Sequence, residues 1–172
     1  MARTMYVIDD RDQVRELTDL PQSSVGAPLP VIVASEEQLA VAYFLEVADP
    51  DCDGTSVRVV TGEAEDAAAR VEFVRPLAHF FGPPNDEAFS GHPLAGRGLH
   101  PYGAFEVIGS SWVRSLERMN RVHPQHRPEH FASYHHFVLA FHDSTFECVA
   151  KEYFAQRGTG PLDQLARRPR TK

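Results

Sequence analysis

The chain has 172 residues, 42% hydrophobic and 24% charged, a composition typical of one globular domain. That composition excludes a wholly disordered chain, a collagen-like fibre and a coiled coil. The net charge of −7 disfavours a basic nucleic-acid-binding protein. Charge is uneven along the chain, and residues 1–70 hold only five arginines against fourteen acidic residues. All nine histidines lie between His79 and His142. We therefore expect titratable chemistry in the second half.

The sequence also predicts the protein's cellular setting. Two cysteines, Cys52 and Cys148, are too few for a disulfide scaffold in a chain of this length. The first residues lack the apolar stretch of a signal peptide. The longest nearly apolar run, residues 39–47, is far shorter than the roughly 20 residues that span a bilayer. We expect a soluble cytoplasmic protein without a membrane partner.

The first half of the chain predicts a peripheral segment followed by strands. Residues 1–30 are weakly patterned and interrupted by prolines, which is typical of an arm or outer layer. Alternating apolar residues then predict a strand over 38–48, and Val and Thr predict another over 55–61, with an Asp-rich turn at 49–54 between them. A third strand is predicted over 71–81, with Pro76 marking a bulge or an edge.

The second half predicts a long loop, one helix and a final hairpin. Residues 82–103 are rich in glycine and proline, and a loop of this length is usually functional or disordered. Apolar residues at helical spacing predict a helix over 111–122, with Ser110 or Ser111 as its N-cap and Pro124 beyond its end. Strands are predicted over 104–108, 133–141 and 145–154, and a mobile basic tail over 159–172.

This order of elements predicts the fold class. Strands joined by short links, without alternating strands and helices, favour an α+β domain. We expect an antiparallel, curved or partly closed β-sheet built from hairpins, with the helix of residues 111–122 packed on it. The expected globular domain is residues 1–158.

The last hairpin carries the first candidate site. A two-residue turn at Asp143-Ser144 would place six residues on a core face: Phe137, Leu139, Phe141, Phe146, Cys148 and Ala150. The opposite face would carry four candidate catalytic residues: His136, His142, Glu147 and Lys151. Two imidazoles, a carboxylate and an ammonium group suit general acid–base work near neutral pH. The alternative is an ordinary solvated sheet face.

The glycine- and proline-rich loop carries the second candidate site. Its polar residues include four candidate ligand-binding side chains: Asp86, His92, Arg97 and His100. Glycines permit close approach of a ligand, and an arginine can hold a carboxylate or a phosphate. We expect the loop to fold over the hairpin and bring His92, Arg97 or His100 within about 8 Å of His142 or Glu147. The alternative is a packed surface loop.

The sequence assigns no metal and no cofactor. His123, His126 and His130 have helical spacing, but Pro124 and Pro128 interrupt such a helix. A metal site assembled from scattered residues such as His92, His142 and Glu147 is supported by no ligand spacing. Cys148 lies on the predicted core face, where cysteines are mostly inert.

Two functions follow as hypotheses. The first is a small-ligand-binding domain, extending to a hydrolase-type acid–base enzyme, whose polar or anionic ligand lies between the hairpin and the loop. The alternative is a non-catalytic interaction or regulatory module. Its contacts would come from a basic helix stripe, Arg114, Arg118 and Arg121, or from a sheet edge pairing with a second copy. An ordinary solvated helix face with Glu117 paired to Arg121 also explains the stripe.

Overall fold

The computed structural model describes residues 6–46 and 66–169. Within these ranges the strands are β1 (Gln13–Glu16), β2 (Val31–Ala34), β3 (Leu39–Phe44), β4 (Ala67–Val74), β5 (Ala78–Gly82), β6 (Ala104–Ile108), β7 (His135–Ala140), β8 (Thr145–Ala150) and β9 (Glu152–Thr159). The helices are α1 (Ser111–Asn120), α2 (Pro128–Phe131) and α3 (Leu162–Arg167). The predicted turn at 49–54, the predicted strand at 55–61 and Cys52 lie outside the described residues.

The strands form two antiparallel sheets. One has the order β1-β6-β7-β8-β5 and the other β2-β3-β4-β9, and neither is closed. Helix α1 is the main helix. The predicted α+β class with antiparallel sheet is therefore confirmed.

The main core lies between the two sheets. Phe137, Phe141 and Phe146 of the first sheet face Val41 and Phe73 of the second. The outer face of the first sheet is covered by α1 and by the loop after β5, and that of the second sheet by α3. Because both faces are covered, every residue of β3 and β8 is buried, although one-sided alternation was expected.

The two sheets meet at a corner that the sequence analysis did not predict. The expected strand 71–81 is two strands, β4 and β5, because Arg75 has a left-handed φ of 49° and Pro76 cannot donate to a ladder. The expected strand 145–154 likewise breaks between β8 and β9 at Lys151. The breaks lie side by side, since the Lys151 N–H donates to the Val74 carbonyl over 2.9 Å. The β5–β8 pair in one sheet thus continues as the β4–β9 pair in the other.

The final hairpin has the predicted faces but a different register. Four residues, 141–144, connect the strands, and Ala140 pairs with Thr145. The predicted two-residue turn would instead have paired Ala140 with Glu147. The Phe141 N–H donates to the Ser144 carbonyl over 2.8 Å, which lengthens the turn. A shift of two residues keeps side chains on their faces. The predicted core residues are accordingly all buried: Phe137, Leu139, Phe141, Phe146, Cys148 and Ala150.

Helix α1 begins as predicted and ends two residues early. The Ser110 hydroxyl accepts hydrogen bonds from the Trp112 and Val113 N–H groups, the geometry of an N-cap. Glu117 pairs with Arg121 at 2.9 Å, so part of the basic stripe is neutralised within the helix. Beyond β9, where a mobile tail was expected, helix α3 buries Leu162 and Leu165 against the second sheet. None of the helices within residues 6–46 and 66–169 has the length and apolar character to cross a membrane.

Candidate functional site

A buried polar cluster occupies the outer face of the first sheet. The Glu147 carboxylate accepts hydrogen bonds from Tyr6 Oη at 2.5 Å and from His136 Nε2 at 2.9 Å. Its other oxygen lies 3.2 Å from Nε2 of His92, which comes from the loop after β5. His136 and Glu147 are 0% and 4% exposed. The loop thus folds over the hairpin as predicted, with His92 in direct contact with Glu147.

The neighbours of each imidazole in this cluster indicate where its proton sits. The Leu94 N–H donates to His92 Nδ1 over 3.1 Å, so the proton of a neutral His92 is on Nε2 and points at Glu147. His136 Nδ1 lies 3.0 Å from the Ser110 hydroxyl, whose oxygen already accepts from two helix N–H groups. Ser110 therefore donates to His136, which in turn donates to Glu147.

This set of donors favours the ionised form of Glu147. Burial alone would raise the pKa of its carboxyl group, but hydrogen bonds from His136 and His92 outweigh burial and lower the pKa to about 2. Burial and the adjacent carboxylate raise the pKa of the Tyr6 phenol well above its usual value. Glu147 is thus a buried carboxylate held by Tyr6, His136 and His92.

Ser110, His136 and Glu147 are connected in the order of a serine-hydrolase triad. A triad needs a hydroxyl that a substrate can reach. Ser110 is almost fully buried, its oxygen caps helix α1, and the histidine between it and Glu147 is inaccessible. The chain of hydrogen bonds instead fastens the helix, the loop and the N-terminal segment to the sheet.

A second cluster is partly exposed and contains His142. Nδ1 of His142 lies 3.0 Å from Asp86 Oδ2 and 3.0 Å from Tyr102 Oη, and Tyr102 also donates a short hydrogen bond to Asp86. The Tyr102 and His142 rings are stacked 6.2 Å apart. The Asp86 N–H donates to the His142 carbonyl over 2.9 Å, which ties the loop to the hairpin connection.

Within the described ranges, the second cluster leaves one nitrogen of His142 without a hydrogen bond. Because Asp86 and Tyr102 are both acceptors towards Nδ1, the proton of a neutral His142 is on Nδ1 and Nε2 carries the lone pair. Nε2 lies 3.9 Å from the exposed Asp143 carboxylate, beyond hydrogen-bond distance. The His142 side chain is 38% exposed. This is the arrangement of a general base oriented by a carboxylate.

The Asp86 and Tyr102 pKa values shift in opposite directions. The hydrogen bond from Tyr102 is the main cause that lowers the pKa of Asp86, and His142 adds to it. Partial burial, followed by the Asp86 hydrogen bond, raises the pKa of Tyr102 to about 12. Asp86 is therefore a carboxylate and Tyr102 a protonated phenol near neutral pH, as the hydrogen-bond directions require.

A cleft of about 470 Å³ borders this cluster between the two sheets. Its lining includes Tyr102, Phe141 immediately before His142, Tyr43 and Arg157. This volume is within the usual range for small-molecule sites. The Arg157 side chain is exposed and, in the part of the chain that the structure describes, makes no hydrogen bond or ion pair. The cleft therefore offers a guanidinium group that has no partner among the described residues.

The remaining predicted site residues lie apart from these two clusters. Lys151 is at the sheet corner, with its ammonium 5.3 Å from the centre of the Tyr134 ring. Arg97 donates to the Asp12 carbonyl over 3.1 Å, and His100 packs edge-on against Phe105. These three side chains have structural contacts, and only His92 of the loop reaches the hairpin carboxylate.

Sequence reasoning missed both tyrosines. Tyr6 lies 141 residues from Glu147 in a segment interpreted as a peripheral arm. Tyr102 lies within the glycine- and proline-rich loop, which was predicted as a candidate site, but Tyr102 was not among its candidate ligand-binding side chains. Its φ of 62° is in the left-handed region, which is rare for a tyrosine and which the sequence does not reveal.

Neither cluster has the geometry of a metal centre. Residues 6–46 and 66–169 contain no group of three or more His, Cys, Asp or Glu side chains placed to hold a metal ion. In the Glu147 cluster, the Leu94 N–H donates to Nδ1 of His92, so the proton of a neutral His92 is on Nε2. Nε2 faces Glu147 and is the nitrogen that would have to bind a metal there.

Comparison with protein-family models, curated proteins and solved structures found no match to this chain.

Proposed function

We propose that this protein binds a small polar or anionic molecule in the cleft between its sheets, with His142 as the acid–base group beside it. The observation that carries the proposal is the arrangement of His142, with Nδ1 held by Asp86 and Tyr102 and with no hydrogen bond to Nε2 from any described residue. Arg157, whose side chain has no partner within residues 6–46 and 66–169, supports an anionic ligand, because a guanidinium binds carboxylates and phosphates through two parallel hydrogen bonds.

The proposed chemistry is hydrolytic if the ligand is an ester or phosphoester. Nε2 of His142 would take a proton from water as the water oxygen attacks, and would return it to the leaving group. Asp86 would orient the ring and stabilise its charged form, and Arg157 would stabilise the developing negative charge. Glu147 and His136 are buried and Lys151 lies at the corner, so the proposal assigns them no catalytic role.

Binding can be tested with simple anions. We expect citrate and inorganic phosphate to raise the melting temperature of the full chain by binding the folded state. Arg157→Gln should abolish this increase, whereas Arg167→Gln, which removes an exposed arginine from α3, should preserve it. An equal response of both variants, or no response of the native chain, would contradict an anion site in the cleft.

Hydrolysis is tested separately with 4-nitrophenyl phosphate and bis(4-nitrophenyl) phosphate. We expect His142→Asn to lower the rate by at least about 100-fold, the usual scale of general-base catalysis. His79→Ala removes an exposed histidine from β5 and should keep full activity. Anion binding without any hydrolysis would identify a binding protein and remove the enzymatic part of the proposal.

An interaction module is the second candidate, favoured by one observation. Met119 and Val122, at the end of helix α1 and just beyond it, are 70% and 91% exposed. Exposed apolar side chains of this size near one another can mark a protein contact. If they mediate self-association, Val122→Asp combined with Met119→Glu should reduce the molecular mass measured by light scattering.

A further inference from the structure

A second cavity, separate from the cleft, lies between helices α1 and α2 and the ends of strands β6 and β7 in the first sheet. Its volume is about 410 Å³, and it shares no lining residue with the cleft. Ile108, Val113 and Phe131 give it apolar walls. Ile108 is 39% exposed, so the cavity leaves apolar surface open to solvent. An apolar cavity with a few polar groups is the usual form of a small-molecule site.

The charged groups of this cavity are already paired within the protein. Glu106 is nearly buried and is held by Arg15 and by His135 Nδ1, which lies 2.6 Å away. Glu117 accepts from Arg121 and His126, and Arg114 pairs with Asp9 at 2.7 Å. A charged ligand would therefore meet no uncommitted countercharge in the cavity. The pairing favours a neutral ligand, because burying an unpaired charge is costly.

Among the described residues, Nε2 of His135 is an atom of the cavity wall without a protein hydrogen bond, as is Nε of Arg114. Because the Glu106 carboxylate also accepts from Arg15, Nδ1 of His135 is the donor towards it and carries a proton. In the neutral imidazole, Nε2 is then an acceptor. The His135 side chain is 44% exposed and contributes to the cavity lining, which makes Nε2 available to a bound molecule.

We propose that this cavity binds a small neutral phenol or alcohol. The apolar body of the ligand packs against Ile108, Val113 and Phe131, and its hydroxyl group donates a hydrogen bond to Nε2 of His135. Burial of the apolar body supplies most of the affinity, and the single hydrogen bond discriminates between ligands of equal shape. This site requires neither the cleft nor His142.

Two ligands that differ in one hydrogen-bond donor test the proposal. The probes are 2-naphthol and 2-methoxynaphthalene, titrated calorimetrically into the full chain at mildly alkaline pH. We expect 2-naphthol to bind about five- to tenfold more tightly, the effect of one net hydrogen bond. Equal affinities, or no saturable binding of either probe, would overturn the proposal.

Two substitutions locate the site. His135→Phe keeps the wall apolar and removes the acceptor, so both probes should bind with the same affinity. Ala132→Trp adds bulk at an exposed position of the cavity lining and should weaken both probes alike. His100→Phe, a matched change outside the cavity, should preserve the preference for 2-naphthol. Circular dichroism confirms that each variant is folded, and a preference for 2-naphthol that survives in His135→Phe would contradict the assignment.

Discussion

Nε2 of His136 lies 2.9 Å from a carboxylate oxygen of Glu147, and both side chains are buried on the outer face of the first sheet. The pair joins two neighbouring strands, β7 and β8, and receives further hydrogen bonds from Tyr6 and the loop residue His92. A carboxylate in such surroundings is stabilised only while its donors stay in place. The pair is therefore a structural element of the hairpin, and the more exposed His142 is the candidate for chemistry.

Glu147→Ala should lower the free energy of unfolding by about 3–5 kcal/mol, because it leaves buried donors without their acceptor. Urea-induced unfolding followed by circular dichroism measures the change. The matched control is Glu152→Ala, an exposed glutamate on β9, which should change stability by less than about 0.5 kcal/mol. Similar values for the two variants would show that the Glu147 cluster contributes little.

The low pKa of Glu147 predicts acid sensitivity. Its pKa is lowered from 4.5 to about 2 in the folded chain, so its contribution is complete above the unfolded pKa and is lost as pH falls from near 4.5 through about 2. The loss should be on the order of 3 kcal/mol. The side chain at position 147 cannot titrate in Glu147→Gln. Between pH 5 and pH 2, the free energy of unfolding of the native chain should therefore fall by roughly this amount more than that of the variant. Parallel stability curves for the two proteins would contradict the shift.

Phe141→Ala should cost about 3–5 kcal/mol of stability, as other large-to-small changes in protein cores do. Phe141 is buried between the sheets, where its ring lies 5.2 Å from that of Tyr43. Phe81→Ala serves as the comparison, since Phe81 is partly exposed on β5 and its truncation should cost much less. Thermal and urea unfolding should agree on the difference between the variants.

Tyr102→Phe should raise the pKa of Asp86 towards its usual value. The phenol hydrogen bond is the main cause that lowers this pKa, and phenylalanine removes it while keeping the ring against His142. Carboxyl ¹³C chemical shifts followed as a function of pH give the pKa directly. Tyr134→Phe, which removes a hydroxyl at the sheet corner, should leave the Asp86 titration unchanged. An unaltered Asp86 pKa in Tyr102→Phe would mean that the hydrogen bond is absent in solution.

The sequence predicted the faces of the last hairpin but not its register. Alternation alone places Phe137 and Phe146 in the core, and this holds for any register shift of two residues. Asp143 and Ser144 favour a turn, and both a two-residue turn and a four-residue connection contain them. The sequence therefore could not distinguish the two connections. The division of residues 71–81 into two strands was signalled by Pro76, but the change of sheet at that point depends on tertiary packing.

The candidate site was predictable only in part. The length and the polar side chains of the loop predicted that it folds over the hairpin, and His92 does reach Glu147. Burial of Glu147 was not predictable, because its partner Tyr6 comes from the other end of the chain. The pairing of His142 with Asp86 likewise joins two segments 56 residues apart, and no local pattern encodes it.

The most direct test of the proposed function is an NMR titration of the full chain with citrate, following the imidazole C–H signals of the histidines. We expect the His142 signals to shift saturably as citrate occupies the cleft, Arg157→Gln to weaken this response, and the exposed His79 on β5 not to respond. The proposed function would be contradicted if His142 stayed unchanged at saturating citrate, or if both histidines shifted equally and without saturation.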